Sequence, residues 1–236
     1  MTSPSPIFCA IDQPDLKGAL ELGRALRDVV GGLKLGLEFV TANGPDGVRQ
    51  VVALGLPVFL DVKFHDTPNT VAGAVRAAGS LRVAMLTLHV SGGPAMLHAA
   101  VEAAHLREPC PELLGVTVLT SMDDADLAAV GVADKVTGQV LRLAELAWNS
   151  GLDGVICSPH EVVLLRERFG REFKLVVPGI RPADFGARDQ KRTMVPAEAI
   201  AAGADVLVVG RPITAAPDPR AAAIAIAAEI GAARAA

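Results

Sequence analysis

The sequence is poor in aromatic residues. Phe, Trp and Tyr make up 3% of its 236 residues and Tyr does not occur, yet hydrophobic residues account for 51%. The core therefore has to be built from Ala, Val, Leu and Ile, which fill parallel sheets and barrel interiors. A disordered chain would be far less apolar. The composition predicts a folded protein with an aliphatic core.

Cysteine is also scarce. The three cysteines, Cys9, Cys110 and Cys157, are odd in number and widely separated. This pattern argues against a disulfide framework and fits a reducing compartment. No set of His, Asp, Glu or Cys has the spacing of a metal site, so we expect no bound metal.

An excess of positive charge is missing too. The net charge is −4 and no stretch gathers Lys and Arg, so nucleic acid is not an expected partner, whereas a small anionic substrate is compatible. The first residues lack the features of a signal peptide. The Ala-rich tail, residues 221–236, is interrupted by Glu229 and Arg234 and is too short to span a bilayer. We expect no membrane contact and a cytoplasmic location.

Short apolar runs recur along the chain and alternate with segments of helical spacing. The runs are Ile7–Ile11, Leu33–Leu37, Pro57–Val62, Ala84–Val90, Leu114–Leu119, Gly154–Cys157, Lys174–Val177 and Val206–Val209. The helical segments include Leu16–Val30, Asp126–Asn149 and Pro196–Ala202. Eight strands with crossover helices predict an α/β protein, a single-domain (β/α)8 TIM barrel over residues 1–236, close to the usual size of about 250 residues. An open doubly wound sheet is the alternative, but no G-x-G-x-x-G follows the first run.

Charged and polar residues stand where predicted strands end, which is where barrels of this kind carry their catalytic groups. They are Asp12, Asp61, Lys63, Asp66, His89, Thr120, Ser121 and, directly after Gly210, Arg211, and Lys34 stands where the second strand opens. Buried strands rarely carry ionised side chains without a functional reason. The sequence therefore predicts a site at the C-terminal end of the barrel.

The residues from Asp61 to Asp66 are the most informative of these. Side chains alternate along a strand, so Asp61 and Lys63 point the same way while Val62 faces the helices. A lysine beside two carboxylates has its charged form favoured, which makes Lys63 a candidate proton donor and fixed positive charge. Lys34 extends the network. The alternative interpretation is an ion-pair network that only stabilises the barrel.

Two later segments are candidates for binding an anion. Gly210 and Arg211 follow the last predicted strand, in the region where such barrels frequently bind phosphate, and an Arg side chain offers a bidentate fork. The loop from Pro178 to Thr193 is long and polar, which predicts either a lid over a ligand or a simple exposed connection.

The stretch DVKFHDTPNT, residues 61–70, resembles the D-x-K-x-x-D signature of the orotidine 5′-monophosphate decarboxylases, particularly the bacterial form. The likeness runs nearly end to end, through AID, KLGLEF, VTVLTSM, VVPGIRP and DQKRTMVPAEAIAAGADVLVVGRPI. It implies an enzyme that converts orotidine 5′-monophosphate to UMP in de novo pyrimidine biosynthesis and needs no cofactor.

The resemblance also implies roles for the central residues. Lys63 would donate a proton to C6 of the pyrimidine after carbon dioxide leaves, and Asp61 would lie beside the substrate carboxylate. Asp66 and Thr67 would come from the neighbouring subunit of a homodimer. The family usually has Ile where this chain has Thr67; both are β-branched, so we expect packing to survive, with a hydroxyl added near the ring.

Further roles follow from the same resemblance. Asp12 and Lys34 would hold the ribose hydroxyls, with Lys34 counted among the catalytic groups, and Thr120 and Ser121 would face the pyrimidine edge. The closing loop and the phosphate would be served by Arg181, Gln190, Gly210, Arg211 and Thr70.

Two alternatives remain open. A magnesium-dependent sugar-phosphate decarboxylase of the 3-keto-L-gulonate 6-phosphate type shares the D-x-K-x-x-D core, although the motifs of the fifth and seventh runs and Gln190 favour a pyrimidine. A non-catalytic barrel that binds nucleotide phosphates is the other. The intact set of Asp61, Lys63 and Asp66 argues against it, because binding alone does not require a lysine caged by carboxylates.

Overall fold

The chain folds into a closed barrel of eight parallel strands, which confirms the predicted (β/α)8 class. The structure is a computed structural model that describes residues 5–106, 108–182 and 193–235. The strands follow one another around the barrel in chain order. They are β1 (Ile7–Ile11), β2 (Gly32–Leu35), β3 (Val58–Phe64), β4 (Met85–His89), β5 (Glu112–Val116), β6 (Gly154–Ile156), β7 (Lys174–Val177) and β8 (Val206–Val209).

Helices connect the strands and surround the barrel. They are α1 (Leu16–Leu26), α2 (Leu37–Val52), α3 (Pro68–Gly79), α4 (Pro94–His105), α5 (Asp124–Ala129), α6 (Val136–Asn149), α7 (Val162–Phe169), α8 (Pro196–Ala202), α9 (Arg211–Thr214) and α10 (Pro219–Ala235). Local chemistry sets their starts: the Asp15 carboxylate accepts hydrogen bonds from the backbone N–H groups of Lys17 and Gly18 and so caps α1.

Several predicted boundaries were wrong, among them those of the fifth strand, which spans Glu112–Val116 and not Leu114–Leu119, and of the first helix, which ends at Leu26 and not at Val30. The second strand ends at Leu35 and not at Leu37, because Leu37 already begins α2. The segment predicted as one helix from Asp126 to Asn149 is two helices, α5 and α6. Gly131, between them, has a φ of 83°, a left-handed conformation that cannot continue a right-handed helix.

Buried side chains form an inner and an outer layer. On β1, Phe8 and Ala10 belong to the cluster inside the barrel, whereas Cys9 and Ile11 belong to the larger cluster between strands and helices. This alternation is the period of two expected of a strand buried on both faces. Aliphatic residues dominate both layers, as the composition predicts.

Register decides which charged residues face the barrel axis. Lys34 pairs with Ala10 on one side and with Phe59 on the other, and both neighbours point inward. Two residues further along each strand, Asp12 and Asp61 point the same way by alternation. The barrel thus places three charged side chains in adjacent inward positions at its C-terminal end.

Within the described ranges, we find no helix that combines the length and apolarity needed to cross a membrane.

Candidate active site at the C-terminal end of the barrel

A cavity of about 290 Å³ opens at the C-terminal ends of the strands. Its floor is apolar, with Ala10, Phe59 and Val208 contributed by the inner cluster. Eight of the residues predicted for the site line it. They are Asp12, Lys34, Asp61, Lys63, Thr120, Arg181, Gly210 and Arg211.

Four of these side chains form an alternating row of negative and positive charges. Lys34 Nζ lies 2.8 Å from Asp12 Oδ1 and 3.5 Å from Asp61 Oδ2, and Lys63 Nζ lies 2.7 Å from Asp61 Oδ1. The side chains of Lys34 and Asp61 are 9% and 14% exposed, so the pair between these two residues is only weakly screened by water. The row joins Lys34, Asp61 and Lys63 as the sequence predicts and also includes Asp12. Asp66, the second carboxylate expected beside Lys63, does not pair with Lys63 within the described chain.

Gly36 makes the close approach of Asp12 and Lys34 possible. It follows Lys34 by two residues, so a side chain there would point into the barrel between the charges. A Cβ atom at Gly36 would lie 2.7 Å from Asp12 Oδ1 and 3.0 Å from Lys34 Nζ. Any larger residue would push the ion pair apart.

The charges around Asp61 determine its ionisation. Burial on its own raises the pKa of the Asp61 carboxyl, but the positive charges of Lys34 and Lys63 outweigh it, together with hydrogen bonds from Lys63 and Thr87. The pKa of Asp61 therefore lies below its ordinary value. Asp61 is therefore an anion at neutral pH, and the positive charges of Lys34 and Lys63 stabilise it.

Thr87 is a residue of the site that the sequence analysis missed. It is completely buried on β4, its hydroxyl donates to Asp61 Oδ1 at 3.0 Å, and it accepts from the backbone N–H of Lys63 at 2.9 Å. A signal was available: Thr87 interrupts the apolar run MLTLHV two residues before His89.

The residues expected to bind an anion follow β7 and β8, whereas Lys63 lies on β3. Arg181 is buried, and its backbone N–H donates to the carbonyl of Met194 at 3.0 Å. Arg211 begins α9 directly after Gly210. Gln190, and most of the loop predicted as a lid, lie outside the described residues.

The segment after β3 lies away from the cavity wall. Asp66, Thr67 and Thr70 are exposed and do not line the cavity of their own chain. Asp66 Oδ1 accepts from the backbone N–H of Thr67 at 2.6 Å, and the hydroxyls of Thr67 and Thr70 are 3.0 Å apart. In the described part of the chain, Asp66 makes no ion pair with Lys63. Ser121 is exposed just beyond Thr120 and is not part of the wall either.

Comparisons with known proteins agree with this geometry. The sequence matches the model of the Orotidine 5′-phosphate decarboxylase / HUMPS family over residues 5–226. It is 53% identical to an orotidine 5′-phosphate decarboxylase of Paramagnetospirillum magneticum, over 96% of this chain and 99% of that protein. The chain belongs to this family.

Other members support the assignment. An orotidine 5′-phosphate decarboxylase of Rhodospirillum rubrum is 54% identical over 96% of this chain and 94% of its own length. The crystal structure of an orotidine 5′-phosphate decarboxylase from Lactobacillus acidophilus has a TM-score of 0.82 at 36% identity, covering 96% of this chain and 99% of that one. The resemblance of the D-x-K-x-x-D segment to orotidine 5′-monophosphate decarboxylases is thereby confirmed.

Two histidines flank the charged row of this family member. The rings of His65 and His89 have centroids 5.5 Å apart. Burial lowers the pKa of His89, and the nearby charges of His65 and Lys63 lower it further. His89 is therefore neutral at pH 7, and it adds no positive charge to the two lysines.

A wider cavity, about 1030 Å³, lies at the opposite end of the barrel. Its charged lining residues include Lys174 and Glu112, which pair with each other, and Asp205, which accepts from Arg166 at 2.6 Å. The first pair joins β5 to β7 across the end of β6, and the second joins α7 to the residue before β8. In barrels of this kind the N-terminal end serves stability and the C-terminal end carries the active site, so the C-terminal cavity is the better candidate for catalysis.

Among the residues that the structure describes, no group of three or more His, Cys, Asp or Glu side chains is placed to hold a metal ion.

Proposed function

We propose that this chain decarboxylates orotidine 5′-monophosphate to UMP in the cytoplasm, through a single barrel domain spanning residues 1–236 and without a metal or other cofactor. The observation that carries the proposal is the ammonium group of Lys63. It lies 2.7 Å from Asp61 at the wall of a cavity with an apolar floor. The family membership and the names of the relatives support the same reaction.

The chemical step needs a stabilised anion and a proton. When the bond between C6 and the carboxylate breaks, carbon dioxide leaves and the electron pair stays on C6 in the ring plane. A fixed positive charge stabilises that pair without reorganisation of solvent, and the Lys63 ammonium supplies this charge. Lys63 then transfers its proton to C6, giving UMP, and regains a proton from water. Asp61 holds Lys63 and lies beside the carboxylate that departs.

The remaining contacts orient the nucleotide. Asp12 and Lys34 bind the ribose hydroxyls, for which a carboxylate acceptor and an ammonium donor side by side at the cavity wall are suited. Thr120 and Ser121 face the edge of the pyrimidine. Thr120 lines the cavity, and Ser121 is the next residue along the loop that follows β5.

The phosphate binds on the side of the cavity that follows β7 and β8. Arg181 and Arg211 line that side and neutralise the dianion, and Gly210 admits the phosphate close to the backbone. Gln190 and Thr70 complete the set. Binding energy from the phosphate helps to organise the distant reacting groups, so loss of Arg211 reduces turnover as well as affinity.

We propose further that the active unit is a homodimer in which Asp66 and Thr67 serve the partner's cavity. Both residues are exposed and absent from the wall of their own cavity, and Asp66 makes no ion pair with the Lys63 of its own chain among the described residues. A two-fold dimer would bring the same segment of each chain to the other.

The direct test follows the loss of orotidine 5′-monophosphate absorbance with purified protein in EDTA. We expect rapid conversion to UMP by the unmodified chain and by Lys17→Ala, a control at a lysine whose side chain is 86% exposed. Lys63→Ala should lose turnover while it still binds UMP, because the phosphate and ribose contacts remain.

Three outcomes separate the alternatives. Near-normal turnover by Lys63→Ala would refute the assigned role of Lys63. Activity only after magnesium is restored, on a sugar phosphate, would indicate the metal-dependent relative. UMP binding by a folded chain without turnover of either substrate would indicate a nucleotide-phosphate binding protein.

The dimer is tested by mixing two inactive variants, Lys63→Ala and Asp66→Asn. Only the mixed dimer contains a site with an intact Lys63 and an intact Asp66, so random pairing should restore about a quarter of the wild-type sites. Each variant alone serves as the control. No recovery despite demonstrated exchange of subunits would mean that Lys63 and Asp66 act within one chain.

A further inference from the structure

Strand β3 carries an irregularity where it presents the charged residues. Leu60 pairs with Leu86 of β4, and the next pair is Phe64 with Leu88. The chain therefore advances four residues on β3 while it advances two on β4. Such a bulge leaves ladder groups without their regular partners and re-aims side chains. The residues within it include Asp61 and Lys63.

At this irregularity the backbone of Lys63 adopts an unfavourable conformation. Its φ is +53°, in the left-handed region that residues with a Cβ rarely adopt. Residues in this region persist when their surroundings hold them there, and they cluster at functional sites. The neighbour that holds Lys63 has to satisfy its backbone N–H, because the regular ladder does not.

Thr87 is the residue of β4 that lies opposite the bulge, between Leu86 and Leu88. Its hydroxyl accepts from the Lys63 N–H at 2.9 Å and donates to Asp61 Oδ1 at 3.0 Å. The same Asp61 oxygen accepts from Lys63 Nζ at 2.7 Å. A single buried hydroxyl thus connects the backbone of the lysine to the carboxylate that holds its ammonium group.

We propose that Thr87 is a positioning residue for the decarboxylation, one that fixes Lys63 and Asp61 relative to each other through the two hydrogen bonds of its hydroxyl. The inference rests on the proposed function of Lys63 and deepens it. Thr87 is not a lining residue of the cavity, so it acts through its neighbours and makes no contact with the nucleotide there.

Both the direction of the hydrogen bonds and the burial support this role. An ionised carboxylate can only accept, so the Thr87 proton points to Asp61, which leaves a lone pair of the hydroxyl for the Lys63 N–H. Thr87 is 0% exposed, so removal of its hydroxyl would take a hydrogen-bond partner from both the Lys63 N–H and Asp61 in a buried position, where an unsatisfied polar group is costly. The hydroxyl therefore holds the ammonium group where the proton is needed.

The test compares Thr87→Val, which removes the hydroxyl at nearly constant shape, with Thr87→Ser, which keeps it. Thr117→Val is the matched control, because Thr117 is 5% exposed and its hydroxyl donates to a backbone carbonyl, that of Ile156, at 3.0 Å. Steady-state kinetics with orotidine 5′-monophosphate and titration with UMP are measured for each variant and for the wild type.

For Thr87→Val we expect kcat to fall about 10- to 100-fold, the loss typical of one hydrogen bond to a charged group. KM and the Kd for UMP should change less than about threefold, because the ribose and phosphate contacts are untouched. Thr87→Ser should keep kcat within about threefold of wild type, and Thr117→Val should do the same while losing comparable stability.

The outcomes are distinct. If the wild type does not convert orotidine 5′-monophosphate, both the proposed function and the positioning role of Thr87 are wrong. If the wild type is active and Thr87→Val behaves like Thr117→Val, or if KM rises while kcat is unchanged, the positioning role is wrong and the proposed function stands. Should Thr87→Val not fold, Thr87→Ala against Thr87→Ser gives the same comparison of a site without and with the hydroxyl.

Discussion

Replacing Lys34 by Met is the perturbation for which the structure gives the clearest expectation for stability. The ammonium group is 2.8 Å from Asp12 and 3.5 Å from Asp61, and its side chain is 9% exposed. Met has a similar length and no charge, so the substitution removes the cation and leaves both carboxylates in place. Asp61 then keeps Lys63 as its remaining positive neighbour.

The size of the effect follows from burial. Breaking a fully buried ion pair by removing one partner costs about 3–5 kcal/mol, because the other charge stays buried. Here the Asp12 side chain is 55% exposed and can be solvated, and Asp61 retains one lysine. We therefore expect Lys34→Met to lower the free energy of unfolding by about 2–3 kcal/mol at pH 7.

The loss should depend on pH in a definite direction. The pKa of Asp61 is lowered in the folded protein, so its carboxylate stabilises the fold above the unfolded pKa of about 3.9. That contribution disappears as the pH falls through the lower, folded pKa. The difference between wild type and Lys34→Met is therefore largest at neutral pH and shrinks below about pH 4.

The free energies of unfolding of the wild type and of Lys34→Met are measured by urea unfolding at several pH values and one fixed protein concentration, with the fluorescence of Trp148 as the probe. Trp148 packs against Phe169 and Phe173, far from the altered site in sequence, and it is the one Trp of the chain. The control is Lys17→Met, whose exposed pair with Glu21 should contribute less than about 0.5 kcal/mol. Equal losses for the two variants, or a more stable Lys34→Met, would refute the reasoning.

Two further measurements test the ionisation of single residues. Arg220 donates two hydrogen bonds to Asp28 and holds the pKa of that carboxyl at about 2. Arg220→Gln should therefore return the pKa of Asp28 toward 3.8 in a carboxyl-carbon NMR titration. An unchanged pKa would contradict the role given to Arg220. Burial raises the pKa of Cys9 to about 12, and the pKa of Cys110 is also raised, but Cys110 is exposed whereas Cys9 is buried. At pH 8 a thiol reagent should therefore label Cys110 and leave Cys9 unmodified until the protein is unfolded.

Much of the fold followed from local patterns in the sequence. Short aliphatic runs are too brief for helices, and their regular alternation with helical segments predicts a parallel barrel. All eight predicted strands are present, with errors at their ends, as at Leu37. Boundaries are harder to predict because capping and backbone conformation at single residues decide them, as Gly131 does between α5 and α6.

The candidate site was predicted in part for the same reason. Asp61 and Lys63 are neighbours in sequence, so the alternation of a strand already brings them together. Lys34 was expected to join them, and it does. Gly36 and Thr87 were missed. Thr87 stands out in the sequence as a polar residue within an apolar run, but the importance of both residues depends on which side-chain atoms lie next to them in the folded barrel, and the local pattern does not contain that information.

The sequence by itself determined the aliphatic barrel, the family and the charged pair Asp61 and Lys63 at the end of β3. These follow from the composition, from the alternation of strand-like and helical segments, and from the D-x-K-x-x-D motif. Only the tertiary structure decided that Lys34 bridges Asp12 and Asp61, and that the backbone of Lys63 adopts a positive φ beside Thr87. The physical reason is register. Parallel pairing of the consecutive strands β1 to β4 brings together residues that are 22 positions apart, as Asp12 and Lys34 are, or 26 positions apart, as Asp61 and Thr87 are. The bulge in β3 shifts its pairing with β4 at the point where the charges meet.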